Sequence, residues 1–329
     1  MKNRITTGVA AAILAFGIAP SVSAVELRFA TGFPANHLMQ KHVFEPWAEE
    51  IAKKSNGALI IRMYPGGALG PAPAAFQRVK SGVADIGYSL QGFTSDQFPR
   101  TLLMELPDIA RDNVTATRKL WAVHDLIKDD YQGVKVLGLW STGPNVIASR
   151  DKAVRVPADI KGMRIRVPSK LLGDVLKSMD ASPVFMTITD VYNAVQTGVL
   201  GGVATGTSAI RGFKLGEVLR FYSDYEFGVS PQFVVMNQGT YDKLSVEHKK
   251  LIDDTTGLQF SLNGARVYDK EAVDQLQEEV QSGRGQAIKV TPEQRTMWDK
   301  AIRGALDRAV TEHKNIGVDR ILEAMRQAK

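Results

Sequence analysis

The sequence predicts an α/β protein of two lobes. Strand-like and helical segments alternate from residue 26 onward. The alternation breaks near Ser141 and starts again, and it returns to an apolar strand after Ser230. The chain also has the length for two cores, about 305 residues once an N-terminal leader is set aside. Alternation of this kind indicates parallel sheets covered by helices.

The leader comes first. Lys2 and Arg4 form a positive head, residues 8–19 are apolar, and Val22-Ser23-Ala24 fits a small-x-small cleavage pattern. The apolar run is too short to span a bilayer, so residues 1–24 read as a secretory signal peptide cleaved after Ala24. No later stretch has the length and apolarity of a membrane helix, so no direct membrane insertion is expected.

Residues 26–30 read as a strand. Phe44, Trp47, Ala48, Ile51 and Ala52 recur at helical spacing, and Ser55-Asn56-Gly57 stops that helix. A strand at 59–64, a Pro-Gly-Gly turn, a helix at 74–80 and a strand at 84–89 follow. Ligands of such sheets sit beyond the carboxyl ends of the strands. That places residues 31–36, 66–71 and 89–93 on one rim.

A strand at 134–140 ends in Thr142-Gly143-Pro144-Asn145. The second segment offers a strand at 163–167, a helix at 170–179, a short strand at 183–186, and a helix at 190–197 capped by Thr189 and ended by Gly198. Residues 231–236 form an apolar strand. The remainder is mostly helical: 245–279 has no strong breaker apart from Gly257 and Gly264. Thr291-Pro292-Glu293 is a good helix start.

Composition excludes several functions. Lysine and arginine exceed acids by 6, by 4 without the leader, with no dense basic run, so nucleic-acid binding is unsupported. With no cysteine there is no disulfide, thiolate nucleophile or cysteine metal site. There is no HExxH, GxSxG or P-loop, and no GxGxxG after a strand. His37, His42, His124, His248 and His313 are scattered, and no metal or other cofactor is expected. His37 lies near the first rim, where a solvated loop histidine is the simpler reading. Glu49-Glu50 and Glu278-Glu279 read as solvated helix faces.

One residue points to a ligand. Arg166 lies inside a short β-branched strand. A guanidinium presents five donors in a planar fork and keeps its proton. Holding one in a half-buried strand is costly unless an anion meets it, which points to a carboxylate site. Alternation turns Arg164 and Arg166 to one face and Met163, Ile165 and Val167 to the other, so periodicity allows either arginine.

Several segments together carry a family resemblance: LRFATGFPANH, WAEEIAKKSNGALIIRMYPGGALG, VKSGVADIGY, DIKGMRIRVP and ASPVFMTITDVYNAVQTGVLGG. In this order, behind a signal peptide, the chain resembles the DctP-like extracytoplasmic solute-binding proteins of tripartite ATP-independent periplasmic (TRAP) transporters. The resemblance covers essentially all of the mature chain. It implies a two-lobed fold of the type II periplasmic binding kind, with crossing hinge strands and a long lobe-spanning helix, sought here in 245–279. The corresponding lobes are 25–141 with 231–270 and 142–230 with 271–300, leaving C-terminal helices at 301–329. It implies a periplasmic receptor, not an enzyme, which closes on a small organic acid and passes it to membrane permease subunits.

The resemblance also selects Arg166 over Arg164 as the partner of the ligand carboxylate. Around it the chain departs from the family's sugar-acid binders. The second arginine expected after the strand ending at Trp140 is missing, where Thr142 to Asn145 stand. Leu90-Gln91 replaces a polar acid, Gly201 and Thr205 replace the acid and asparagine of D-G-x-x-N, and Ile188 stands where an aromatic ring is frequent. Phe33, Trp140, Phe185 and Phe233 lie near the rim by strand position. The expected ligand-binding set is therefore Arg166, Phe33, Leu90, Gln91, Trp140, Asn145, Ile188, Thr205 and Phe233. These changes remove hydrogen-bonding capacity that several buried hydroxyls would need. They favour an aromatic carboxylate or 2-oxo acid, then a branched or short 2-oxo acid, then a C4-dicarboxylate. The alternatives are a receptor for a sensor or for a tripartite tricarboxylate-type system, and a periplasmic enzyme on the same scaffold.

Overall fold

A computed structural model describes residues 24–312 and 316–328. The expected leader and its cleavage site lie almost wholly outside them, only Ala24 being described. The strands divide between two sheets. The first half of the chain runs β1 (Val25–Thr31), α1 (Glu45–Lys54), β2 (Leu59–Tyr64), α2 (Ala75–Lys80), β3 (Ile86–Leu90), α3 (Asn113–Ala122), α4 (His124–Ile127) and β4 (Val134–Thr142). It then crosses to β5 (Val146–Ser149), β6 (Arg164–Val167), α5 (Lys170–Lys177), β7 (Ser182–Phe185), α6 (Ile188–Gln196), β8 (Gly202–Thr205) and β9 (Phe221–Ser223). A second crossing leads to β10 (Ser230–Asn237), α7 (Gln238–Lys243), α8 (Val246–Thr255) and α9 (Leu258–Gln281). β11 (Gln286–Ile288), α10 (Pro292–Glu312) and α11 (Val318–Gln327) complete it.

The first sheet has the order β2-β1-β3-β10-β4 and the second β11-β9-β5-β8-β6-β7. Each is parallel except for one strand. β10 runs antiparallel between β3 and β4, and β5 runs antiparallel between β8 and β9. Both exceptions are strands that have just crossed from the other sheet. The crossing segments bond to each other: Asn145 N–H donates to the Gly228 carbonyl and Phe227 N–H to the Asn145 carbonyl, both at 2.8 Å.

The 245–279 stretch divides at Gly257, whose φ of 83° is left-handed and whose N–H bonds the Leu137 carbonyl. The brace is thus α9 alone, 24 residues and about 36 Å long. It packs on α3 and β4 on one side and on the turn Thr207–Ala209 on the other. Gly264 is tolerated inside it because a Cβ there would sit 3.1 Å from the Trp140 indole. α6 begins two residues earlier than its sequence implies, so Thr189 is not its cap. Thr187, in extended backbone, holds the N-cap position, and its hydroxyl bonds the side chains of Thr189 and Asp190. The Thr291 start holds: its hydroxyl accepts from Gln294 N–H, and the Gln294 side chain accepts from Thr291 N–H. α11 returns Val318, Ile321, Leu322 and Met325 to the core beneath the first sheet, whereas Trp298 of α10 packs under the second.

Candidate functional site

Arg166 stands at the carboxyl end of β6, between β7 and β8. Arg164, two residues earlier on the same face, is exposed; Arg166 is 2 % exposed. The face therefore passes from solvent into the cleft along four residues. Two backbone carbonyls aim the guanidinium. Nε donates to Met186 at 3.0 Å and Nη1 to Ala204 at 3.2 Å. Nη2 is buried with no partner, and among the described residues the bonds of Arg166 go to carbonyls alone. Burial pulls the guanidinium down to about 9, so it remains a cation at neutral pH.

The guanidinium faces a cavity between the sheets. The second sheet and its loops contribute Arg166, Pro168, Ile188, Thr205, Ser208 and Phe213. The first contributes Phe33, His37, Leu90, Phe93, Ser230 and Gln232, and α9 contributes Tyr268. Asn145 enters from the crossing segment and donates from Nδ2 to the Ser230 hydroxyl at 3.0 Å.

Of the residues expected here, Arg166, Phe33, Leu90, Asn145, Ile188 and Thr205 line this cavity. Gln91, Trp140 and Phe233 do not. Gln91 turns inward to the Tyr131 hydroxyl at 3.0 Å. Trp140 shares the face of Gln232 but lies against Phe44, Tyr88 and Phe260 beneath α9. Phe233 points through the opposite face of β10, onto Phe76 and Phe98. The alternation that sends Phe233 away brings Gln232 in. A glutamine in the otherwise apolar strand after Ser230 is a signal of the same kind as Arg166. Phe185 is half exposed and meets Phe93 edge-on across the mouth.

His37 is no solvated loop residue. It is 5 % exposed, stacked on Phe33 at 4.8 Å, and its Nδ1 accepts from Met39 N–H. Its proton therefore sits on Nε2, and burial drives its pKa down to about 3. A second buried ionisable group lies at the start of α5. Glu105 bonds the Ser169 hydroxyl at 2.5 Å, and Ser169 caps α5 through Leu172 N–H. With no cation paired to it among the described residues, burial raises Glu105 to about 8.

These two groups set opposite pH dependences. Between about 4.5 and 8 the folded state holds a proton on Glu105 that the unfolded chain has lost, so stability falls as pH rises. Between about 3 and 6.5 the unfolded chain holds a proton on His37 that the folded state lacks, so stability rises with pH. They oppose each other from 4.5 to 6.5 and act singly outside that window. Glu105→Gln should remove a fall of up to about 1.4 kcal/mol per pH unit above pH 6.5. His37→Gln should remove a comparable fall below pH 4.5. Chemical denaturation across pH measures both; an unchanged upper limb in Glu105→Gln would refute the first assignment.

Among the described residues no group of His, Asp and Glu side chains could hold a metal ion, and no helix is long and apolar enough to cross a membrane.

Known proteins are similar to this chain in sequence and in fold. The 2,3-diketo-L-gulonate-binding periplasmic protein of Escherichia coli is 26% identical over 81% of this chain and 80% of its own. The sialic acid-binding periplasmic protein of Vibrio cholerae is 28% identical over 62% of this chain and 65% of its own. A TRAP solute-binding protein from an unidentified marine microbe, specific for aromatic acids and solved with 3-hydroxybenzoate, is 25% identical with a TM-score of 0.88, covering 92% of this chain and 97% of that one. The sequence pattern of the DctP group matches residues 29–313, and the chain belongs to that family, bacterial extracellular solute-binding protein family 7.

Proposed function

We propose that this protein is the periplasmic receptor of a TRAP transporter and captures an aromatic or otherwise apolar monocarboxylate. The observation that carries the reading is Arg166: a fully buried cation, aimed by two carbonyls, with Nη2 unpaired and apolar walls around it. A bidentate carboxylate supplies the missing acceptor and the missing charge in one group. Phe33, Leu90, Phe93, Ile188 and Phe213 suit a body with little polarity. The sheets form two lobes joined by the crossing segments, and ligand shifts them toward the closed arrangement because it binds that arrangement better. The protein delivers its acid to permease subunits after cleavage of the leader at Ala24, and it carries out no chemistry on it.

A thermal-shift screen over a few hundred organic acids tests the class. An aromatic or branched monocarboxylate at a hundred times its Kd should stabilise the fold by about 2.7 kcal/mol. Uronic and sialic acids should leave the midpoint unmoved. Stabilisation by the sugar acids alone would overturn the ligand class while leaving the receptor intact.

A further inference from the structure

The wall contributed by the first sheet holds a closed ring of hydrogen bonds whose proton count has a consequence for the ligand. Tyr88 O–H donates to Gln232 Oε1 at 2.8 Å, and Gln232 Nε2 donates to the Tyr268 oxygen at 3.0 Å. The two hydroxyls lie 2.7 Å apart. Each hydroxyl has one proton. Tyr88 has given its proton to the amide, so the proton between the tyrosines belongs to Tyr268. All three side chains are buried, and burial pushes Tyr268 up to about 12, so it keeps that proton.

The ring consumes both hydroxyl protons and one of the two amide protons. Gln232 is left with a second N–H, and Tyr268 with an oxygen lone pair that no ring member uses. Turning the amide over reverses the ring and leaves the same surplus N–H. Gln232 and Tyr268 line the cavity; Tyr88 does not. The surplus is one donor and one acceptor on neighbouring side chains, which is what a single hydroxyl group satisfies. An unpaired buried N–H is costly, so an acid that leaves it bare is penalised.

We propose that Gln232 and Tyr268 form a second polar subsite that reads a hydroxyl on the body of the ligand, opposite the sheet that supplies Arg166. The subsite rests on the carboxylate-receptor reading and narrows its substrate to hydroxylated acids. Such an acid would join the sheets, with its carboxylate on one and its hydroxyl on the other. A site built to bond a hydroxyl discriminates strongly against the analogue lacking it.

The test is calorimetric titration of the purified mature protein with matched series. One series is benzoate with 2-, 3- and 4-hydroxybenzoate; another is phenylacetate with mandelate and the ring-hydroxylated phenylacetates; a third is butyrate with 2- and 3-hydroxybutyrate. In the series that binds, one hydroxylated member should exceed its parent at least ten-fold. Tyr268→Phe and Gln232→Leu should each reduce that ratio to within about three-fold, with the parent acid still bound. A wild-type ratio below two-fold in every series overturns the subsite and leaves the receptor standing, as does a ratio that survives both variants. Failure of every acid in the three series to bind overturns the monocarboxylate reading and the subsite with it, while the wider thermal-shift screen still decides the receptor. If Gln232→Leu is poorly folded by its melting profile, Tyr268→Phe decides alone.

Discussion

Arg166→Ala should weaken binding of the preferred acid by at least about thirty-fold, read by isothermal titration calorimetry. Losing one partner of a buried charged pair costs about 2–5 kcal/mol, and each 1.4 kcal/mol is ten-fold in Kd. Arg166→Lys should fall in the same range. An ammonium cannot keep the bonds to Met186 and Ala204 while presenting a planar fork to a carboxylate. Stability separates a binding role from an architectural one. Without ligand, the guanidinium is a desolvated cation facing carbonyls only, and burying charge without a counterion is unfavourable. Replacing it with an apolar side chain of similar length should therefore leave the ligand-free protein at least as stable. Arg166→Met is expected to melt no lower than wild type without ligand and to lose the ligand-induced rise. Strong destabilisation of Arg166→Met together with retained affinity would assign the arginine to the architecture instead.

The second large effect is at Gly228. Its φ is 80°, in the region that side chains avoid, and a Cβ there would overlap the backbone carbonyl oxygen of Glu105. Neither atom is on a flexible side chain, so the segment itself must shift. Backbone strain and overpacking together cost about 2–5 kcal/mol. At roughly 2 °C per kcal/mol for a chain of this size, Gly228→Ala should melt about 4–10 °C lower. The natural control is Gly162→Ala. Gly162 also has a positive φ, 69°, but no atom lies within 4 Å of a Cβ built there, so only the strain remains. Equal melting of the two variants would remove the contact with Glu105 as the cause. Since the Gly228 carbonyl accepts from Asn145 N–H, the variant also disturbs the place where the crossings bond each other.

The sequence made the parallel elements legible because a buried parallel strand is a continuous apolar run and its helix has a 3.6-residue period. β1, β2, β3 and β10 were each within about two residues of expectation. Residues 94–133 show no clear helical or strand period, although Asp112 caps α3 by accepting from Thr115 N–H. Much of that stretch is short 3₁₀ turns without a period. β5, β8, β9 and β11 have three or four residues each and were silent for the same reason. At the site, Arg166 stood out because a charge in a strand demands an explanation. Trp140 and Phe233 were placed by size and strand position, and the structure shows that face and covering helix decide instead. Rim position brings His37 near the site but not its burial, and nothing in the sequence points to Tyr268. His37 lies in an irregular loop, and Tyr268 reaches the cavity from α9, about 100 residues beyond Arg166 along the chain.

The insertion of β10 between β3 and β4 bears on how the chain is made. A ribosome or an export channel releases the N-terminus first. β1, β2, β3 and β4 are then available by residue 142, yet β3 and β4 have no direct pairing with each other. The strand that joins them is residues 230–237, after the whole run from β5 to β9. Until it arrives, β3 and β4 both expose an edge and the apolar faces beside them. Contacts of such long sequence separation form late. The order of strands therefore keeps the first half of the protein from closing while the second half is still emerging.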